Sequence, residues 1–236
     1  MVGLGFAVQD RLARQEGAIV PLVMMDPRSP DRSAGFTLVE MIVVVAIMAL
    51  LAALATPSML GWVRNNKIRT VSDSLQNALR QAQTEATRRN RQVVFSLTDD
   101  TPTVKSPSYT AKASGRNWAI STVTPTDSDQ TGAFVEAGIL SDASSNVVIS
   151  GPNISGTGAV PTAICFGSIG RVVLNGTPGP TKADCKAAAV WFDIAMSDTK
   201  TGDRPLRVTV AVGGQVRMCD PARTLSASQP DGCASP

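Results

Sequence analysis

Gly35-Phe36-Thr37-Leu38-Val39-Glu40-Met41-Ile42-Val43-Val44-Val45-Ala46-Ile47-Met48-Ala49-Leu50-Leu51-Ala52-Ala53-Leu54-Ala55 decides what kind of chain this is. From Met41 to Ala55 no side chain is polar. Adding Phe36, Leu38 and Val39 gives about 20 residues whose one charge is Glu40. At 1.5 Å of rise per residue, a helix of that length spans a hydrocarbon layer roughly 30 Å thick. An apolar run of this size also suits a buried helix or the core of a secretory signal. Two features speak against a cleaved signal. No Ala-x-Ala-like site follows the run, because Ala53 and Ala55 lie inside its end and Pro57 comes next. The apolar stretch also continues, without a change of period, into an amphipathic one.

That second stretch places Ile68, Val71, Leu75, Leu79, Ala82 and Ala86 three or four residues apart, with charged and amide residues between them. Good helix formers dominate it, and from Trp62 to Ser106 the chain has no glycine and only one proline, Pro102. The pattern predicts one helix from about Phe36 to Gln92, bent or loosened near Pro57 and Gly61, where the proline removes an amide donor. Half of such a helix belongs in lipid and half against a protein core. Glu40 is costly at the membrane end of this helix unless it has a partner or lies among headgroups. Cleavage after Gly35 would create an ammonium on Phe36 able to neutralise Glu40 of the same or a neighbouring chain.

The rest of the chain narrows the function. There is no histidine, which removes the commonest general base and the commonest metal ligand together. Gly151 to Gly158 is glycine-rich but lacks the lysine of a phosphate loop, and Gly167-Ser168-Ile169-Gly170 lacks a nucleophile-elbow pattern. Asp99 with Asp100, and Asp193 with Asp198, read as surface or turn carboxylates, and Trp118, Trp191 and Phe192 as core or interface aromatics. The expectation is a protein that is not an enzyme, with no cofactor and no metal. Net charge is +3, but seven basic residues (Arg64, Lys67, Arg69, Arg80, Arg88, Arg89, Arg91) face only Asp73 and Glu85 between Gly61 and Arg91. Such a tract suits a helix emerging beside anionic lipid, or a nucleic acid. Cys165, Cys185, Cys219 and Cys233 form no Cys-x-x-Cys pair, and an even count beyond an export-competent segment points to disulfides in an oxidising compartment. Three pairings are open.

After Val94 the texture turns to short strands: Val93–Leu97, Asn117–Ile120, Phe134–Val135, Val147–Ile149, Ala163–Phe166, Arg171–Leu174, Ala189–Ile194 and Leu206–Val212. The last turns back through Gly213-Gly214 into Gln215–Cys219. A long helix laid across an antiparallel sheet accounts for both the apolar stripe and the strands, giving an α+β fold.

Gly35-Phe36-Thr37-Leu38-Val39-Glu40 with its apolar continuation resembles the processing motif of type IV pilins and type II secretion pseudopilins. The remainder resembles the FimT/GspH branch of minor pilins. The carriers are Glu85-Ala86-Thr87-Arg88-Arg89-Asn90-Arg91-Gln92-Val93-Val94, Ile164-Cys165-Phe166-Gly167-Ser168-Ile169-Gly170-Arg171, and the terminal hairpin from Leu206 to Cys219. The resemblance implies cleavage after Gly35 and methylation of Phe36 by a prepilin peptidase/N-methyltransferase, with Glu40 serving subunit recruitment and helix registry. Pro57 matches the proline at which such helices loosen in a filament. The implied fold is pilin-like: a helix whose first half is transmembrane and whose second half packs on an antiparallel β-sheet domain. Residues 1–35 are then leader, 36–60 transmembrane helix and kink, and 61–236 a periplasmic domain whose helix runs to about 92. The leader carries four arginines and four acids, and Met24 or Met25 offers a later start.

The location implied is the inner membrane, single-pass, and a pilus or pseudopilus after assembly. The partners implied are other major and minor pilins or pseudopilins and an inner-membrane assembly platform. The expected function is a minor pilin helping to initiate or build a type IV pilus. The alternatives are a GspH-like pseudopilin of a type II secretion system and a double-stranded-DNA-binding minor pilin. In the DNA-binding members a Gly-Arg-x-Arg turn carries the basic residues. Here Gly214 and Arg217 match, Gln215 replaces the first arginine, and Arg207 is the other candidate contact, with Arg204 nearby. The plainer reading of Arg217 is a solvated strand residue beside a disulfide. Stapled C-terminal loops in pilins favour Cys219–Cys233, which leaves Cys165–Cys185 to clamp the preceding hairpin.

Overall fold

The computed structural model of the chain describes residues 35–123, 132–140, 146–155 and 160–234, with the side chains of 55–58 left aside. The leader expected at 1–35 therefore lies, apart from Gly35, outside the described residues. The chain divides into two units, Met1–Met48 and Ala49–Pro236.

Helix α1 runs Leu38–Arg89. Described side chains from Gly35 to Leu54 are exposed. Among the described residues no single helix is long and apolar enough to cross a membrane. Leu38–Leu54 and Met59–Arg89 pass that test only together, across a bend. The bend expected near Pro57 and Gly61 thus falls between Leu54 and Met59, and Gly61 sits inside the second stretch. The helix stops short of the expected Gln92. Asn90 takes a left-handed φ of 50°. The amide of Asn90 then donates to the Thr87 carbonyl at 3.2 Å and that of Arg91 to the Ala86 carbonyl at 3.1 Å, the two bonds of a Schellman cap. Asparagine tolerates this conformation better than other residues with a Cβ.

Among the described residues ten strands follow: β1 Val93–Thr98, β2 Asn117–Thr122, β3 Phe134–Ile139, β4 Val147–Ile154, β5 Ala163–Phe166, β6 Val172–Val173, β7 Val190–Met196, β8 Leu206–Val210, β9 Val216–Thr224 and β10 Gly232–Cys233. They form two sheets rather than one, ordered β3-β2-β1-β5-β6 and β10-β9-β8-β7-β4. Every pairing is antiparallel except β9 with β10. The burial patterns explain the division. β7 alternates buried and half-buried residues, as a strand with one covered face should, whereas β1 and β2 are buried throughout. On β1, Val93, Phe95 and Leu97 belong to the main core, while Val94 joins a second cluster with Ala111, Ala163, Ala183 and the Cys165–Cys185 pair.

The main core contains the helical stripe Ile68, Val71, Leu75, Leu79, Ala82 and Ala86 together with inward residues of both sheets, among them Ile120, Ile164, Ile194 and Val208. Phe95 stacks on Trp118 with ring centroids 6.3 Å apart and meets Phe192 edge-on at 6.2 Å. Disulfides join Cys165 to Cys185 and Cys219 to Cys233. Each restricts the unfolded chain, contributing about 2–4 kcal/mol.

The two sheets meet at a junction of turns. The Val172 amide donates to the Val212 carbonyl at 2.9 Å, linking β6 to the β8–β9 turn. Beside it, the Gln83 side-chain amide of α1 donates to the Gly170 carbonyl at 2.8 Å. Gly214, at φ 90°, is packed so closely that an added Cβ would collide with the Gly170 carbonyl and the Gln83 amide. Its neighbour Gly213 has open space at the same position. Gly214→Ala should therefore destabilise the domain by about 1–3 kcal/mol, from backbone strain and the collision together. Gly213→Ala should stay within about 0.5 kcal/mol of the parent. Chemical denaturation of the two variants side by side checks this.

Candidate functional site

The expected processing and assembly residues lie at the start of α1. The Thr37 hydroxyl accepts a hydrogen bond from the Glu40 amide at 3.2 Å, and the Thr37 carbonyl accepts from the Met41 amide at 3.2 Å. Thr37 is thus the N-cap of the helix, with Glu40 at the third helical position, where a carboxylate also complements the positive end of the helix dipole. Gly35 and Phe36 precede the cap and are exposed. The Glu40 carboxylate forms no ion pair among the described residues. The Thr37-x-x-Glu40 spacing before an apolar run is the sequence signal of this cap.

The basic tract divides into several local arrangements rather than one face. Arg64 is gripped by the β7–β8 loop. Its guanidinium donates to both carboxylate oxygens of Asp203, at 2.8 and 2.7 Å, to the Asp198 carboxylate at 3.2 Å, and to the Asp198 carbonyl. The Asn65 side chain donates to the Gly202 carbonyl at 3.0 Å and accepts from the Arg204 amide at 2.8 Å. Arg88 and Arg89 both pair with Glu85, at 2.7 and 2.6 Å, and hold that carboxyl below its usual range. Arg91 donates to the Val123 carbonyl at 2.9 Å, and Arg69 lies 3.9 Å from Asp73. The expectation that this tract serves anionic lipid or a nucleic acid is therefore corrected for Arg64, which is spent on two aspartates of its own domain. Its partners lie 134 and 139 residues away, beyond any local sequence signal.

Arg207 and Arg217, the candidate DNA contacts, lie on adjacent strands of the second sheet. Arg207 donates to Asp193 at 2.7 Å and sits over the Trp191 ring, 5.2 Å from its centroid. Arg217 donates to the Pro230 carbonyl. Arg204 is instead tied by its backbone to Asn65, near Arg64. Trp191 is thus half-buried on the outer side of the sheet, while Trp118 and Phe192 are core. The paired carboxylates do not face a common substrate. Asp99 pairs with Lys112 and accepts from the Arg116 amide at 3.2 Å, whereas Asp100 accepts from the Thr110 amide at 2.8 Å. Asp193 and Asp198 bind different arginines. Among the described residues no group of three or more acidic or cysteine side chains is placed to hold a metal ion.

The Arg64 hydrogen bonds, with help from the Lys200 amide, lower the Asp203 carboxyl from its ordinary 3.8 to about 2. A lowered carboxylate stabilises the fold above its unfolded pKa, and that contribution is lost as pH falls through the folded value. Thermal stability should therefore drop as pH falls from about 4 to about 2. Asp203→Asn should be less stable than the parent at neutral pH and approach it at the acid end. A variant curve parallel to the parent's across that window would contradict the assignment. At the N-terminus, Thr37→Ala should weaken the first helical turn by about 0.5–2 kcal/mol and Thr37→Ser should restore it, read as amide exchange at Glu40 and Met41.

Comparison with known proteins adds a family-level match. The family model described as prokaryotic N-terminal methylation motif matches residues 30–56, and that described as Type II transport protein GspH matches residues 71–214. No curated protein sequence matches the chain. Among solved structures, the type IV minor pilin FimU of Pseudomonas aeruginosa aligns at 13% identity over 73% of this chain and 98% of its own, with a TM-score of 0.43. The minor pseudopilin EpsH of the Vibrio cholerae type 2 secretion system aligns at 13% identity, over 66% and 99%, with a TM-score of 0.39. GspH of E. coli aligns at 12% identity, over 69% and 94%, with a TM-score of 0.41.

Proposed function

The chain belongs to the GspH family of minor pilins and pseudopilins, and from that premise we propose that it is a minor pilin entering a type IV pilus through its N-terminal helix. The observation that carries this reading is Glu40. Its carboxylate stands in the first turn of an exposed apolar helix and has no ion-pair partner among the described residues. Within lipid a charge there needs a cation that the uncut chain does not supply. Cleavage after Gly35 supplies one, the ammonium of Phe36, on this subunit or on its neighbour. In this reading a prepilin peptidase cleaves and methylates the chain. Residues 36–60 anchor it in the inner membrane, 61–236 lie in the periplasm, and an assembly platform adds it to other pilins to start or extend the filament.

A second reading, a pseudopilin of a type II secretion machine, is favoured by the description of the family that matches 71–214. It uses the same anchor and the same Glu40 chemistry, and differs in the cargo that the filament moves. A double-stranded-DNA role would rest on Arg217 and Arg207, and no observation favours it over these two.

Co-expression with a prepilin peptidase tests the reading. Gly35→Ala should accumulate as the uncut precursor. Glu40→Ala should be cut yet absent from sheared filaments. Normal cleavage of the Gly35 variant, or normal incorporation of the Glu40 variant, would sink the proposal. Loss of surface pili in a deletion strain with intact exoprotein secretion selects the pilus, and the opposite pattern selects the secretion machine.

A further inference from the structure

The outer side of the second sheet carries side chains that filament entry leaves without a task. Strand register sets Trp191 of β7 opposite Thr209 of β8, and Thr209 opposite Arg217 of β9. In the next row Asp193 stands opposite Arg207, and Arg207 opposite Cys219. These residues alternate with Phe192, Val208 and Val210, which are buried in the core. A cavity of about 220 Å³ opens on this side, lined by Trp191, Thr209, Arg217 and Ala189 and by Cys219 and Gly232 of the stapled C-terminal segment. The whole of that staple, Cys219 to Cys233, lies past the residues matched to the family, which end at 214.

Two features make this a built site. Its walls are fixed in advance. Arg207 is anchored by Asp193 and stacked on the Trp191 ring, and the Cys219–Cys233 bridge holds the opposite wall. A cavity already formed spares a ligand the entropy of ordering it. The second feature is Arg217. Arg207 and Arg223 each bind carboxylates, whereas the guanidinium of Arg217 donates to the neutral Pro230 carbonyl and forms no ion pair among the described residues. A guanidinium presents five N–H donors in a planar fork that matches a carboxylate. Beside an aromatic wall, its unspent donors select a ligand that combines an anionic head with a flat apolar body.

We propose that this cavity binds a small organic carboxylate bearing one flat apolar group, the body against Trp191 and the carboxylate on Arg217. The volume is below the roughly 300–1,000 Å³ of pockets that take drug-sized ligands, so one ring with a short acid arm is the fitting size. Neither half of such a ligand suffices alone. A short acid without a ring makes no apolar contact with the Trp191 wall, and a neutral aromatic leaves the remaining Arg217 donors without an anion. The site is independent of which filament the subunit enters.

The test uses the full chain in detergent micelles, labelled with fluorotryptophan, with the Trp191 fluorine resonance assigned from Trp191→Phe. Phenylacetate is the probe, and benzyl alcohol and acetate are its neutral and truncated counterparts. Phenylacetate should shift the Trp191 resonance saturably and leave Trp118 unmoved. Benzyl alcohol and acetate should bind at least about tenfold more weakly, which corresponds to about 1.4 kcal/mol. Arg217→Gln should weaken phenylacetate about tenfold, and Arg217→Lys should recover part of the loss because the charge remains without the fork. Unaltered free-state resonances in both variants establish that the fold is intact. An absent or non-saturating Trp191 shift, equal shifts from all three probes, or undiminished binding by Arg217→Gln would overturn the proposal. An equal response of exposed Trp62, which reports partition into the micelle, would overturn it as well.

Discussion

Burial of one stripe of α1 is the constraint on which the domain depends. Ile68, Val71, Leu75, Leu79, Ala82 and Ala86 are at most 1% exposed, and the inward residues of both sheets gather about them in a single core. Removing each larger side chain from water contributes roughly 1.5–3 kcal/mol. The two alanines give little area but allow the strands to come close at the distal end of the helix. Both sheets help to cover this stripe. Strands of the first sheet bring Phe95, Ile120 and Ile164, and strands of the second bring Phe192, Ile194 and Val208.

Polar contacts then set where that packed stretch begins and ends. Arg64 and Asn65 bind the β7–β8 loop one turn before Ile68, the first fully buried residue of the helix. Asn90 closes the other end through its left-handed conformation. Between them, Gln83 ties the helix to the turn at Gly170, against which Gly214 is packed. Such bonds add little net stability when solvent competes, but they fix register, because only one placement satisfies all the donors. Gly214 has a structural duty here, since the meeting of two turns leaves no room for a Cβ.

The chain therefore separates two tasks along one helix. Beyond Arg64 the helix is an element of the folded domain. Before it, Met59, Leu60, Trp62 and Val63 remain exposed, as does the apolar run from Leu38 to Leu54, a larger apolar surface than a domain leaves in water without a use for it. Glu40 fits that division. Its amide is used in the Thr37 cap, while its carboxylate forms no ion pair among the described residues.

What the sequence determined by itself was whatever depends on local periodicity and on composition. The 3.6-residue spacing identified the buried stripe of α1, and the turn at Gly213-Gly214 followed from glycine's freedom of φ. Short β-branched runs located nine of the ten strands among the described residues and missed β10, and β1, β2, β3, β4, β7 and β9 extend past the limits read from them. The end of the helix was missed by three residues because Asn90 signals a cap only weakly in a tract of helix formers. Tertiary structure alone decided what depends on residues far apart in the chain. It divided the strands into two sheets, because β1 has a second covered face under the segment clipped by Cys165–Cys185. It spent Arg64 on two aspartates and left Arg217 with a carbonyl, a difference invisible in composition. Periodicity reports which face of an element is apolar. The partner a side chain meets across more than a hundred residues is set by how whole elements pack, and no local pattern encodes it.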